Sequence, residues 1–185
     1  MPPVVVLVEG ASDAAAVRVL CDARGIDSAE VDVREMGGVT NVGHHLRALQ
    51  DGARVLGLYD APEERFVVRA LRAEGYDVVD GTDLTGLGFG VCDRDLEDEL
   101  IRALGPGRVE QVLAELGELD RFRAFQRQPQ WRGREVSEQL RRFAGTTSGR
   151  KVLLARRLAE ELDADTTPAP LAALVDEIER TTAAR

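Results

Sequence analysis

Aliphatic residues occupy every position of Val4–Val8, with no polar alternation. Such a run marks a strand buried on both faces, as in a parallel sheet. Glu9-Gly10-Ala11 turns the chain, and Ser12 and Asp13 open an alanine-rich helix over residues 14–24 that stops at Gly25. A second strand is predicted over 29–36, ended by Gly37-Gly38. Thr40 or Asn41 suits the cap of a helix running through Leu49. Residues 54–59 form the third strand, which ends on Asp60, and Pro62 fits the first turn of a helix to about Glu74. Residues 76–79 and 88–92 are further strand candidates. This alternation predicts an α/β fold, a parallel sheet of about four strands between helices.

Beyond residue 95 the apolar spacing becomes helical, over 96–104, 108–116, 135–143, 150–162 and 170–180, with a mixed stretch around Gln128-Pro129-Gln130-Trp131. The expected organisation is therefore an α/β domain over 1–100 and a helical subdomain over 101–185 packed on it. No apolar run approaches the roughly 20 residues of a membrane span, so no membrane partner is expected. Met1-Pro2-Pro3-Val4 has no basic region ahead of its apolar run, and the only cysteines, Cys21 and Cys92, form no CxxC motif. A signal peptide, a disulfide framework and a zinc site are all poor fits, and a cytoplasmic location is expected.

The net charge of −9 argues superficially against a nucleic-acid partner. Its distribution does not. Residues 121–157 hold eleven basic and two acidic residues, +9 in all, against −18 for the remainder. Trp131, Arg141, Arg142 and Arg150 in this segment are candidates for nucleic-acid contact, able to stack on bases or bind phosphate. Solvated basic helix faces are the plainer alternative.

In an open parallel sheet, ligands bind beyond the carboxyl ends of the strands. Glu9 lies at that end of the first strand and Asp60 at that end of the third. Asp93 and Asp95 follow the last strand candidate, Glu97 follows one turn on, and Asp13 is one helical turn beyond Glu9. Asp13, Asp60, Asp93 and Asp95 each also suit a helix start or cap. Glu9, directly after a buried apolar strand, has no such alternative. Together the acids would repel one another unless a proton or a cation intervened. Hard oxygen ligands of this kind suit Mg2+ or Mn2+.

Lys151 is the only lysine, alongside 23 arginines. It offers what arginine lacks, a compact ammonium that fits against a phosphate oxygen, and it lies in the first turn of a predicted helix. Gly145-Thr146-Thr147-Ser148-Gly149-Arg150-Lys151 is not a Walker motif, because Arg150 stands where that motif needs Gly. Gly86-Leu87-Gly88-Phe89-Gly90 lacks the spacing of a dinucleotide loop. His44-His45 suit an exposed helix, and no serine or cysteine triad is present.

The segment Val6-Leu7-Val8-Glu9-Gly10-Ala11-Ser12-Asp13 resembles the opening motif of Toprim domains, in the form used by the overcoming-lysogenization-defect (OLD) nucleases. Asp60 matches the first acid of that family's D-x-D motif, Asp95-Leu96-Glu97 resembles its later acidic motif, and Lys151 matches a downstream lysine. The resemblance covers residues 4–100 best. It implies a Toprim fold and two-metal phosphodiester cleavage of DNA by an Mg2+- or Mn2+-dependent endonuclease, with Glu9 and Lys151 catalytic. Glu9, Asp13 and Asp60 would hold one ion, and Asp95 and Glu97 the other. RNA cleavage, as in Toprim maturases, and a non-catalytic module that only grips nucleic acid or nucleotide are the alternatives. Pro62 stands where the second acid of D-x-D belongs, leaving Glu63 or Glu64 to replace it. The ATPase domain of larger OLD nucleases is absent from these 185 residues, so a stand-alone enzyme, a homodimer or a separate ATPase partner is expected.

Overall fold

The aliphatic run forms β1 (Val4–Val8), buried at all five positions. It occupies the interior of a parallel sheet ordered β2-β1-β3-β4, with β2 (Val31–Glu35), β3 (Val55–Asp60) and β4 (Phe89–Cys92). The computed structural model describes residues 4–49 and 52–184. In register, Val8 lies beside Glu35, Leu7 beside Gly57, and Asp60 beside Cys92. Alternate residues serve two cores, as the pleat requires. Val4, Val6, Val8, Leu56, Leu58 and Cys92 face one side, where they meet α1 (Ala11–Ala23) and the C-terminal helices. Val5, Leu7, Val55, Tyr59 and Phe89 face the other, covered by α2 (Val42–Arg47), α3 (Glu64–Ala73) and α4 (Gly81–Gly86). Gly57 permits this packing, because a Cβ there would lie 2.5 Å from the Phe89 ring.

The strand expected over 76–79 does not form. Only Val78 of its aliphatic pair is buried, Val79 is 70% exposed, and Asp80 instead caps α4 by accepting from Thr82 N–H at 2.8 Å. The edge of the sheet goes to β4. Residues 96–104 and 108–116 merge as α5 (Leu96–Glu115), broken locally at Gly105, whose φ of 74° only glycine adopts readily. Pro106 then sits at the start of the second half. An unexpected helix, α6 (Leu119–Gln126), buries Phe122 and Phe125 three residues apart on one face. α7 (Val136–Ala144), α8 (Ser148–Ala159) and α9 (Ala169–Ala183) complete the chain.

These helices share one apolar core with the sheet, running from Val6 through Leu100 and Phe143 to Leu158 and Ile178. α8 lies along α1 and α5, and α9 lies along β3 and β4. That packing carries the first turn of α8 to the end of the sheet where β1 stops. No helix among the described residues is long and apolar enough to cross a membrane.

Candidate metal centre

β1 and β3 are parallel neighbours, yet the chain leaves β1 toward β2 on one side and extends from β3 toward β4 on the other. Their carboxyl ends therefore flank the crevice where open α/β sheets bind ligands. Glu9 lines it from β1. Its carbonyl accepts from Gly38 N–H at 3.1 Å, and Gly37 and Gly38 make this turn with φ of 68° and 114°. Asp60 lines it from β3. After Asp60 the chain makes a 3-10 turn, Ala61–Glu63, with Pro62 in its first positions, and this turn returns Glu63 to the edge. Carboxylate oxygens of Glu9, Asp60 and Glu63 all lie within 4.8 Å of one another. Glu63 is thus the acid that the turn brings beside Glu9 and Asp60. Glu64 is turned away, beside Gly81 and the Tyr59 hydroxyl.

Other acids close the ring. Asp13, buried in the first turn of α1, accepts from Gly10 N–H at 3.0 Å. Asp95 caps α5 by accepting from Asp98 N–H at 2.9 Å, and its second oxygen takes Arg141 Nε–H at 2.7 Å. Glu97 is buried, with one oxygen 3.2 Å from Lys151 Nζ. Asp93 points to solvent near Arg102, and Glu99 accepts from Asp93 N–H at 2.9 Å, which pins the loop. Among the described residues only Glu9, Asp60 and Glu63 gather three ligand atoms. Asp13, Asp95 and Glu97 lie beside them without forming a second such trio.

The crowded carboxylates need a proton or a cation to offset their repulsion. Burial, followed by repulsion from Asp13, Glu9, Asp95 and Glu63, pushes the Asp60 carboxyl up to about 8. Burial and Glu9 push Glu63 up to about 7. Burial also raises Asp13, against the pull of the Gly10 N–H and Lys151, and brings Glu97 to about 7 despite its lysine partner. Burial works against the Lys151 charge, but Glu97 and Asp13 outweigh it and keep the ammonium protonated. Glu63 Oε2 and Glu97 Oε1 are buried with no hydrogen-bond partner. Unsatisfied anionic oxygens in an all-carboxylate set, without His or Cys, fit a hard divalent cation such as Mg2+ or Mn2+.

These shifts carry a sign for stability. In the unfolded chain the same acids ionise near their ordinary values, so between about pH 4 and 8 the folded state binds more protons. Stability contributed by these groups is full below that window and is lost as pH rises through it. Metal-free protein is expected to melt lower at pH 8.5 than at pH 5.5, and Mn2+ to reverse the loss. Even ~2 kcal/mol of linkage moves the midpoint of a domain this size by about 4–8 °C. A metal-free Tm that is flat or rises over this range would contradict the raised carboxyl values at this edge.

No family model and no curated protein sequence matches the chain. Solved structures do. The C-terminal region of the Xanthomonas campestris pv. campestris OLD protein superposes with a TM-score of 0.70 over 97% of this chain and 96% of that one, at 21% identity. The C-terminal region of the Burkholderia pseudomallei OLD protein gives 0.67 over 98% of each chain, at 19% identity. The chain has the Toprim-like fold of the OLD C-terminal regions. The likeness spans the helical half as well as the sheet, so α5–α9 are part of the OLD-type architecture and not an unrelated addition.

Within this OLD-type fold the basic segment differs from its appearance in sequence. Arg121 pairs with Glu118, Arg123 with Glu110, Arg134 with Glu138, Arg141 with Asp95, Arg156 with Glu160, and Arg157 with Glu115. Arg150 is turned inward, donating to Glu118 at 2.8 Å with its guanidinium 4.1 Å from the centre of the Phe143 ring. Trp131 is half-buried, stacked 5.1 Å from Phe125 and flanked by Arg134. Among the described residues, only Arg127, Arg132 and Arg142 of the segment have no acidic partner. A count along the chain overstates the surface charge here, because folding brings Glu97, Glu110 and Glu115 of α5, and Asp95 and Glu118 at its ends, onto the basic side chains.

Proposed function

We propose that the chain is a metal-dependent endonuclease that nicks DNA. The observation that carries this reading is the trio Glu9, Asp60 and Glu63 at the sheet edge, with the sole lysine reaching the adjoining Glu97. The resemblance of Val6–Asp13 to the OLD nuclease motif, and the OLD-type fold, support it. Glu9, Asp60 and Glu63, with Asp13 beside them, would hold one Mg2+ or Mn2+, and Asp95 and Glu97 a second. Bound there, such cations supply Lewis acidity toward a phosphodiester and an acidified water.

The chain's own groups do the rest. Arg141 and the α5 cap fix the orientation of Asp95. The Gly10 N–H fixes Asp13. Lys151, at the start of α8 and therefore near its positive end, stabilises charge that develops on the phosphate oxygens. Trp131, Arg141, Arg142 and Arg150 remain the candidate nucleic-acid residues of the basic segment. Of these, Arg142 is exposed and free to contact DNA directly, whereas Arg141 and Arg150 act by holding Asp95 and the α6–α8 corner.

A second reading, a module that binds metal and nucleic acid without cutting, is favoured by one feature. Asp95 is already satisfied by Arg141 and its cap, which leaves the second ion a thinner ligand set. Plasmid incubated with the protein and Mn2+ separates the two: nicking supports the nuclease, and metal binding without nicking supports the module. Matched DNA and RNA substrates in the same assay decide between DNA endonuclease and RNA maturase chemistry.

A further inference from the structure

With the charges of 121–157 largely consumed by internal ion pairs, a different surface stands out. α3 carries Arg65, Arg69 and Arg72, spaced four and three residues apart and so stacked along one helix face. All three are exposed, and among the described residues none has an acidic partner. Elsewhere most of the arginines are paired, in a protein with 33 acidic residues to draw on. Like charges at this spacing destabilise a helix, so the face is costly unless an anion meets it. Arg65, Val68, Arg69, Arg72 and Val79 line a shallow cleft of about 410 Å³ on the outside of α3, with Glu64 as its one acid against three arginines, and Val79 is the most exposed large hydrophobic residue described. Guanidinium groups beside bare aliphatic surface suit a sugar-phosphate backbone better than a lone ion.

Position links this face to the metal centre. α3 begins at Glu64, the residue after the third acid of the trio, and Arg65 is two residues from Glu63. The ladder starts at the carboxyl edge and leads away from it down the outer layer. From Arg65 to Arg72 the helix rises about 10 Å. Along a duplex axis that is about three rises of 3.4 Å, within reach of three long arginine side chains on neighbouring phosphates of one strand.

We propose that the Arg65–Arg69–Arg72 face of α3 binds the phosphate backbone of the nucleic-acid strand whose neighbouring phosphodiester lies at Glu9, Asp60 and Glu63. This rests on the nuclease reading and adds where the substrate runs. The test is fluorescence anisotropy of a labelled DNA duplex in metal-free buffer over a salt series. The wild type, R65Q/R69Q/R72Q and the charge-conserving R65K/R69K/R72K are compared, with Mn2+ calorimetry and plasmid nicking on each. Loss of three phosphate contacts should weaken binding on the order of 10²-fold at 0.1 M salt and shrink the log–log salt slope by about 2.7. The Lys variant should keep the slope, and all three proteins should bind Mn2+ alike. A Gln variant that binds DNA with wild-type affinity and slope overturns the inference while leaving the nuclease reading intact, and returns this face to an acidic protein partner. A Lys variant as weak as the Gln variant also overturns it, since charge is then not what the face supplies. A wild type that neither nicks with Mn2+ nor binds DNA overturns the nuclease reading, and the occupant with it.

Discussion

Glu63→Gln is expected to reduce Mn2+-dependent plasmid nicking on the order of 10³-fold, about 4 kcal/mol of transition-state stabilisation, while Glu64→Gln stays close to wild type. The two residues are adjacent and chemically identical, so only their placement separates them. Glu63 is delivered by the 3-10 turn to within 4.8 Å of Glu9 and Asp60, whereas Glu64 turns to Tyr59 and Gly81. Glu9→Gln should match Glu63→Gln, because a trio that holds one ion acts as a unit and its losses do not add. Misfolding has the opposite signature. Burial and repulsion hold Glu63 well above the usual carboxylate range, so an uncharged isostere relieves strain in the metal-free state. The metal-free Tm of Glu63→Gln should therefore rise near pH 8 as activity disappears. Equal loss in the Glu63 and Glu64 variants, read by gel quantification of nicked plasmid, would remove Glu63 from the site.

Lys151→Ala is expected to lower nicking by about 10²–10³-fold, the usual cost of removing one preorganised positive donor. Lys151→Arg should not restore it. A guanidinium is broader and binds as a planar fork, whereas the crevice receives a compact ammonium 3.2 Å from Glu97. In a chain with 23 other cationic side chains, all arginine, failure of the arginine variant would explain why one position alone uses lysine. Loss of Lys151 also leaves Glu97 buried without a cation, so Lys151→Ala should melt lower than wild type without metal. Adding Glu97→Gln should recover stability but not activity. Full activity in Lys151→Arg, measured as kcat on a defined nicked-site oligonucleotide, would reduce the residue to a generic positive charge.

Much of the sheet was legible because period and run length carry strand identity directly. Val4–Val8 could hardly be anything but an interior parallel strand, and Glu9 at its end follows from that. Asp60 was legible for the same reason. The failures came where packing decides. Residues 76–79 have strand-like composition, but β3 already has β4 as its outer neighbour, and Val79 finds no layer to bury it. The helix α6 was hidden by its charges, with Leu119, Phe122 and Phe125 as its strong apolar positions. The choice between Glu63 and Glu64 depends on the turn made by Ala61–Glu63, and a one-residue difference in a tight turn reverses which acid faces the crevice.

The basic segment was legible only as a net charge. Charge summed along the chain says nothing about which acids fold against it. Asp95 with Arg141, Glu118 with Arg150 and Glu97 with Lys151 are contacts between distant parts of the sequence. The unpaired arginines of α3 were invisible to that sum, because Glu63 faces the metal centre and Glu64, at the mouth of their cleft beside Gly81, pairs with none of them.

Glu9, Asp60 and Glu63 are expected to form a divalent-cation site at the carboxyl edge of β1 and β3. Anomalous diffraction from a crystal soaked in Mn2+ tests it most directly. A peak coordinated by oxygens of all three residues is the predicted result, with any second peak between Asp95 and Glu97. A soaked crystal with well-ordered side chains and no anomalous peak at the trio would contradict the account.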